Sequence, residues 1–130
     1  MSTRKITSTN NINREKLIDF CGMMYAVDLL GGRWKLIILY KLGKGALRFS
    51  ELKKIIPGIT DRMLTLHLKE LEQSGLIDRT IYAEVPPRVD YRLTSIAELL
   101  IPVWQQLEHW GLAHKESRDG KISVTTSEKY

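Results

Sequence analysis

The chain has 130 residues, 43% hydrophobic and 27% charged, with 20 Lys and Arg against 15 Asp and Glu, a net charge of +5. That length supports one domain with a modest core, and the basic excess favours a polyanionic partner without fixing a fold. A single cysteine, Cys21, excludes an internal disulfide and fits a reducing, cytoplasmic setting. No run reaches the roughly 18 apolar residues of a membrane span, and the opening MSTRKITSTNN lacks the apolar stretch of a signal peptide.

Residues 1–13 are polar and rich in Ser, Thr and Asn, which predicts a flexible arm. A short helix is expected over 14–21, packing Leu17, Ile18 and Phe20 on a neighbour. MMYAVDLL reads as a second helix with Met23, Val27 and Leu30 in one stripe, stopped by Gly31 and Gly32. RWKLIILYKL is apolar on all sides, and a helix of that kind is covered on all sides. In so small a protein, part of that cover is expected from a second chain.

After the break at Gly43–Gly45, RFSELKKII predicts a short helix with Phe49, Leu52 and Ile56 inward, ended by Pro57-Gly58. Thr60 is placed to cap the next helix, expected over 60–74, and Asp61 complements its dipole. At 100° per residue, Leu64, Leu68 and Leu71 fall in one core-facing stripe. Arg62 and Lys69 lie nearly opposite, flanked by Thr65 and Leu66. Two strands follow, LIDRTIY and VDYRL, the second with period-two alternation. Their link holds Pro86 and Pro87, which cannot donate to a sheet ladder, so a stiff loop at 83–88 is expected with Arg88 at its base. Ser95-Ile-Ala-Glu98 fits a capping box, with Thr94 or Ser95 starting the last helix, and Pro102 should kink or restart it. The polar stretch 117–130 is expected to be a flexible tail, leaving 14–116 as the domain.

The fold class that follows is mainly α with a small β-hairpin. Two short helices across PGIT make a helix-turn-helix, and the hairpin directly after them makes it winged. In such a fold the second helix enters the major groove and uses its N-terminal residues on base edges. Arg62 sits at that end, where an arginine can bond guanine O6 and N7 together. Leu66 suits a thymine methyl, and Thr65 and Lys69 suit phosphate or base. An exposed Arg and Lys alone mark only a solvated face; the turn, the hairpin and the net charge together point to double-stranded DNA.

These residues resemble the HxlR-type family of winged-helix transcriptional regulators. The likeness rests on GGRWKLIIL, on RFSEL with PGIT and ML, and on the wing EVPPRVDYRLT, and it covers roughly Cys21 to Gly111. Two departures stand out: Gly22 where the family often has Pro after the cysteine, and TSIA where it often has a TPxG sequence. The resemblance implies a homodimer that binds operator DNA, probing the major groove with helix 60–74 and the backbone or minor groove with wing 83–88. It also places Arg48 and Ser50, at the start of the scaffold helix, beside the DNA backbone; Arg88 and Thr60 complete the expected contact set. Dimer contacts are implied for the first and last helices, where Leu17, Phe20, Met24, Leu36, Leu100, Trp104, Leu107 and Trp110 are the apolar candidates.

Cys21 carries two readings. Some members of that family sense electrophiles or oxidants with a cysteine near this point, which needs thiolate character and exposure; cysteine is also among the residues most often buried as a bystander. His67, His109 and His114 are too dispersed for a metal site, and no cofactor is expected. Two further function classes compete with DNA binding. A winged helix that binds only protein is the alternative, since fold does not fix function, but it would tend to show acidic or apolar residues where Arg62, Lys69 and Arg88 stand. An enzyme would need a catalytic set that is not apparent. A small-molecule or redox inducer, the operator and the direction of regulation are not encoded in any motif.

Overall fold

The computed structural model describes residues 9–119, and the side chains of all of these except residues 9–12 and Leu17. The elements run α1 (Thr9–Phe20), α2 (Gly22–Leu30), α3 (Arg33–Leu42), β1 (Leu47–Arg48), α4 (Phe49–Ile55), α5 (Asp61–Gln73), β2 (Ile77–Tyr82), β3 (Arg88–Leu93), α6 (Ser95–Glu98) and α7 (Ile101–Arg118). Most of the expected arm and tail, residues 1–8 and 120–130, lies outside the described residues. The expected boundaries move inside that range: α1 already includes residues 9–13, and α7 continues through 117 and 118.

The core is built where the helical stripes converge. Ile38, Leu39 and Leu42 of α3 meet Leu52 of α4, Leu64, Leu68 and Leu71 of α5, Ile77 and Leu93 of the sheet, and Ala97 and Trp104 beyond it, all at most 9% exposed. Burying each such large side chain stabilises the fold by about 1.5–3 kcal/mol. Only one side of α3 is covered this way. Leu36, Ile37 and Tyr40 are half-buried at the edge of the core, so the all-round apolar pattern of this helix exceeds what a single chain covers.

The sheet has three antiparallel strands in the order β1-β3-β2, one more than the expected hairpin. Leu47 pairs with Tyr91 and Arg48 with Asp90. Thr94 fastens the next segment: its hydroxyl donates to the Gly75 carbonyl at 2.7 Å and accepts from the Ala97 N–H at 3.4 Å. Thr94 is therefore the N-cap of α6, not Ser95, and the final apolar stretch is divided. α6 ends at Glu98, and α7 restarts with Pro102 in its first turn, where a missing N–H costs nothing.

α1 and α2 pack on each other and are clasped by Arg14, whose guanidinium donates to both carboxylate oxygens of Asp28. That contact raises the Arg14 pKa and keeps it charged. α7 stands away from the core beyond Trp104; the Tyr40 hydroxyl donates to Glu108 at 2.9 Å and ties it back to α3. The same contact raises the Tyr40 phenol above its usual range, first through the hydrogen bond and then through the carboxylate's charge.

Candidate nucleic-acid interface

The turn between α4 and α5 fixes how α5 is presented. Gly58 takes φ +81°, a conformation L side chains rarely adopt, and lets the chain reverse within a few residues. Ile56 and Ile59 bury themselves on either side of it. The Thr60 hydroxyl accepts from the Met63 N–H at 3.1 Å, the capping expected of it, and keeps its own proton available to donate outward. Lys53 pairs with Asp61 at 3.3 Å and stitches the end of α4 to the start of α5.

α5 is then held from behind and left free in front. Leu64, Leu68 and Leu71 are at most 2% exposed, while Arg62, Thr65, Leu66 and Lys69 are all exposed. Lys35 of α3 reaches Glu70 at 3.1 Å and braces the helix from the rear. His67 sits at the margin of the core beside the same carboxylate, at 3.7 Å. The arrangement delivers one arginine, one hydroxyl, one leucine and one lysine to a convex surface with no carboxylate paired to any of them among the described residues.

Arg48 and Ser50 flank the start of α4 and are exposed. The Glu51 carboxylate accepts from the Arg48 backbone N–H at 2.8 Å, which fixes the main chain there and leaves the guanidinium outside that bond. Arg88 is different. It lies 3.2 Å from Glu84, 3.5 Å from Asp90 and 4.0 Å above the Tyr82 ring, and its side chain is only 29% exposed. Arg88, an expected phosphate contact, has its guanidinium engaged inside the hairpin. The loop above it, Ala83 to Pro87, is wholly exposed and contains one acid and no base. Arg79 was missed. It pairs across the ladder with Tyr91, is exposed, and stands on the sheet face that α5 packs against. That position is not readable from the sequence, because strand register is needed to say which face a residue takes.

The expected interface residues divide. Phe20, Leu107 and Trp110 are 80%, 50% and 59% exposed, whereas Met24, Leu36 and Leu100 are half-buried. Trp104 is corrected to the core of the single chain: at 4% exposed it has almost no surface left for a partner. Leu17 lies outside the described side chains. Met23, Val27, Leu99 and Val103 join the exposed set, each more than half exposed. Of the stripe read on α2, Leu30 packs against the core while Met23 and Val27 stay uncovered in one chain.

Cys21 is partly exposed and occupies the N-cap position of α2, in the extended link after α1. Among the described residues no group of three or more His, Cys, Asp or Glu converges on a metal position. Nor is any described helix long and apolar enough to cross a membrane.

A two-helix unit with its second helix bared, followed at once by a projecting hairpin, defines a winged-helix DNA-binding protein. The comparisons with known proteins agree. Residues 29–119 match the HxlR-like helix-turn-helix family model. The chain is 43% identical over 111 residues to the uncharacterized HTH-type transcriptional regulator YkvN of Bacillus subtilis (strain 168), covering 84% of this chain and 94% of that one. It is 48% identical over 104 residues to an uncharacterized HTH-type transcriptional regulator of Methanothermobacter thermautotrophicus, covering 78% and 79%. Among solved structures it is similar to the redox regulator HypR in its reduced form, with a TM-score of 0.72, 39% identity and coverage of 77% and 99%. The chain belongs to the HxlR-like helix-turn-helix family; it is a DNA-binding transcriptional regulator and not an enzyme.

Proposed function

We propose that the protein acts as a homodimer on an inverted-repeat operator, with one α5 in each of two major grooves and the wing over the adjoining backbone or minor groove. In this reading the bound dimer occludes a promoter and represses it, in the cytoplasm. The observation that carries the proposal is the bare face of α5, where Arg62 stands at the groove-entering end and Leu64, Leu68 and Leu71 anchor the opposite side. A second copy is supported by the large apolar side chains left exposed on α2, α6 and α7, since apolar surface left uncovered by its own chain can mark an interaction site.

Arg62 is assigned the bidentate guanine contact, Leu66 an apolar contact in the groove, and Thr60, Thr65, Lys69, Arg48 and Ser50 contacts that set register on phosphate or base edges. Replacing Arg62 with Ala should cost about 1–3 kcal/mol per half-site and relax one symmetric base position. Selection from random duplex DNA, run in parallel on wild type and Arg62→Ala, tests this. Recovery of one identical motif by both proteins would remove Arg62 from sequence reading.

A second reading concerns regulation and is favoured by the place of Cys21, partly exposed in the extended link between α1 and α2. HypR is a redox regulator solved in reduced and oxidised forms. An oxidant response in this protein is assigned to Cys21. Cys21→Ser should keep DNA binding and lose any release by diamide; release that survives the substitution contradicts the assignment.

A further inference from the structure

The hairpin places a cation, Arg79, beside the exposed face of α5, apart from Arg88 at the base of the wing. Arg79 and Tyr91 are ladder partners on the same sheet face as buried Ile77 and Leu93, so the Arg79 side chain leaves the sheet toward α5. Between them lies an open cleft of about 330 Å³ with Leu68 at its floor, to which α5 contributes the polar side chains of Thr65, Lys69 and Glu72. At 100° per residue these three lie on the flank of α5 next to Arg62 and Leu66. The cleft is therefore continuous with the groove-reading face.

Charge separates this cleft from the wing. Neither Lys69 nor Arg79 has a carboxylate within ion-pair distance among the described residues, whereas Arg88 has two, Glu84 and Asp90. A guanidinium that keeps two carboxylates has little net charge to offer a phosphate. One that keeps none offers a full charge and a planar set of donors.

We propose that Arg79 and Lys69 together hold one DNA backbone phosphodiester in the cleft between α5 and β2, with the Thr65 hydroxyl as a further donor, and that Arg88 is a positioning residue which stiffens the wing. Glu72, on the rim of the same cleft, opposes the phosphate. The proposal rests on the DNA-binding reading above and adds to it the place where the backbone is gripped.

The test is the affinity of the full-length protein for a fixed duplex carrying the selected site, measured by fluorescence anisotropy over a range of salt. Arg79→Ala should weaken binding to all sequences and reduce the slope of log K against log salt by about one unit per half-site. Arg88→Ala should leave that slope at the wild-type value. Glu72→Gln, which removes the opposing charge, should tighten binding at low salt. A wild-type slope for Arg79→Ala overturns the proposal, as does a slope loss that follows Arg88→Ala instead. No tightening by Glu72→Gln removes the phosphate from this cleft. If wild type itself recovers no duplex from a random pool, the DNA-binding reading fails first, and that outcome is distinct from a wild type that binds with an unaltered Arg79→Ala slope.

Discussion

α5 and α7 both carry large apolar side chains, yet the chain covers those of one and leaves most of those of the other open. α5 buries Leu64, Leu68 and Leu71 almost completely and shows a front of Arg62, Thr65, Leu66 and Lys69. α7 is longer, 18 residues against 13, but buries only Trp104 and leaves Val103, Leu107, Trp110 and Leu112 at least half exposed. Most helical stability in proteins comes from packing an apolar face. The rear of α5 is explained by its own chain, so its front is available for a ligand. The apolar surface of α7 is not explained by its own chain, and in the dimer proposed here a second copy covers it.

If that contrast is right, damage at the two helices should have different signatures. Leu68→Ala removes a side chain 2% exposed from the centre of the core and should cost about 2–5 kcal/mol of folding stability, read as a lower denaturant midpoint. Replacing Leu107 and Trp110 together with Asp should instead leave the helical content of the winged core in place and weaken self-association by about 2 kcal/mol or more. Light scattering should then move from twice the chain mass toward 15.0 kDa. A protein whose mass is unchanged by the double substitution would show that α7 is not the interface.

How far the sequence could anticipate this depended on where the information lay. The stripe of α5, the Pro57-Gly58 reversal and the Thr60 cap are local in sequence and were readable from spacing alone. β1 was not, because Leu47 and Arg48 form a strand only where β3 runs alongside. Trp104 was misplaced for a related reason: apolar periodicity marks a face for burial without saying whether the cover is internal or a partner. The hairpin register sets Arg88 against Tyr82, and Asp90 lies two residues along the same strand, so the guanidinium is engaged in a way that apolar spacing does not show. The same register lifted Arg79 from an unremarked strand position to the edge of the reading surface.

A smaller effect sharpens the account of how α5 is held. Thr60→Ala removes the acceptor for the Met63 N–H and should cost about 1 kcal/mol of stability. Its loss of DNA affinity should exceed what that instability explains if the hydroxyl also donates to phosphate. Thr60→Ser, which keeps both functions, should behave as wild type in the melting and binding measurements.

The central claim is that two copies present two α5 helices to one operator. It is tested most directly by selecting bound duplexes from a random pool with the wild-type protein and weighing the recovered complex. The account predicts an inverted repeat whose half-site centres lie about 34 Å apart, or a small whole number of helical turns, with two chains per duplex. A single asymmetric site occupied by one chain would contradict it.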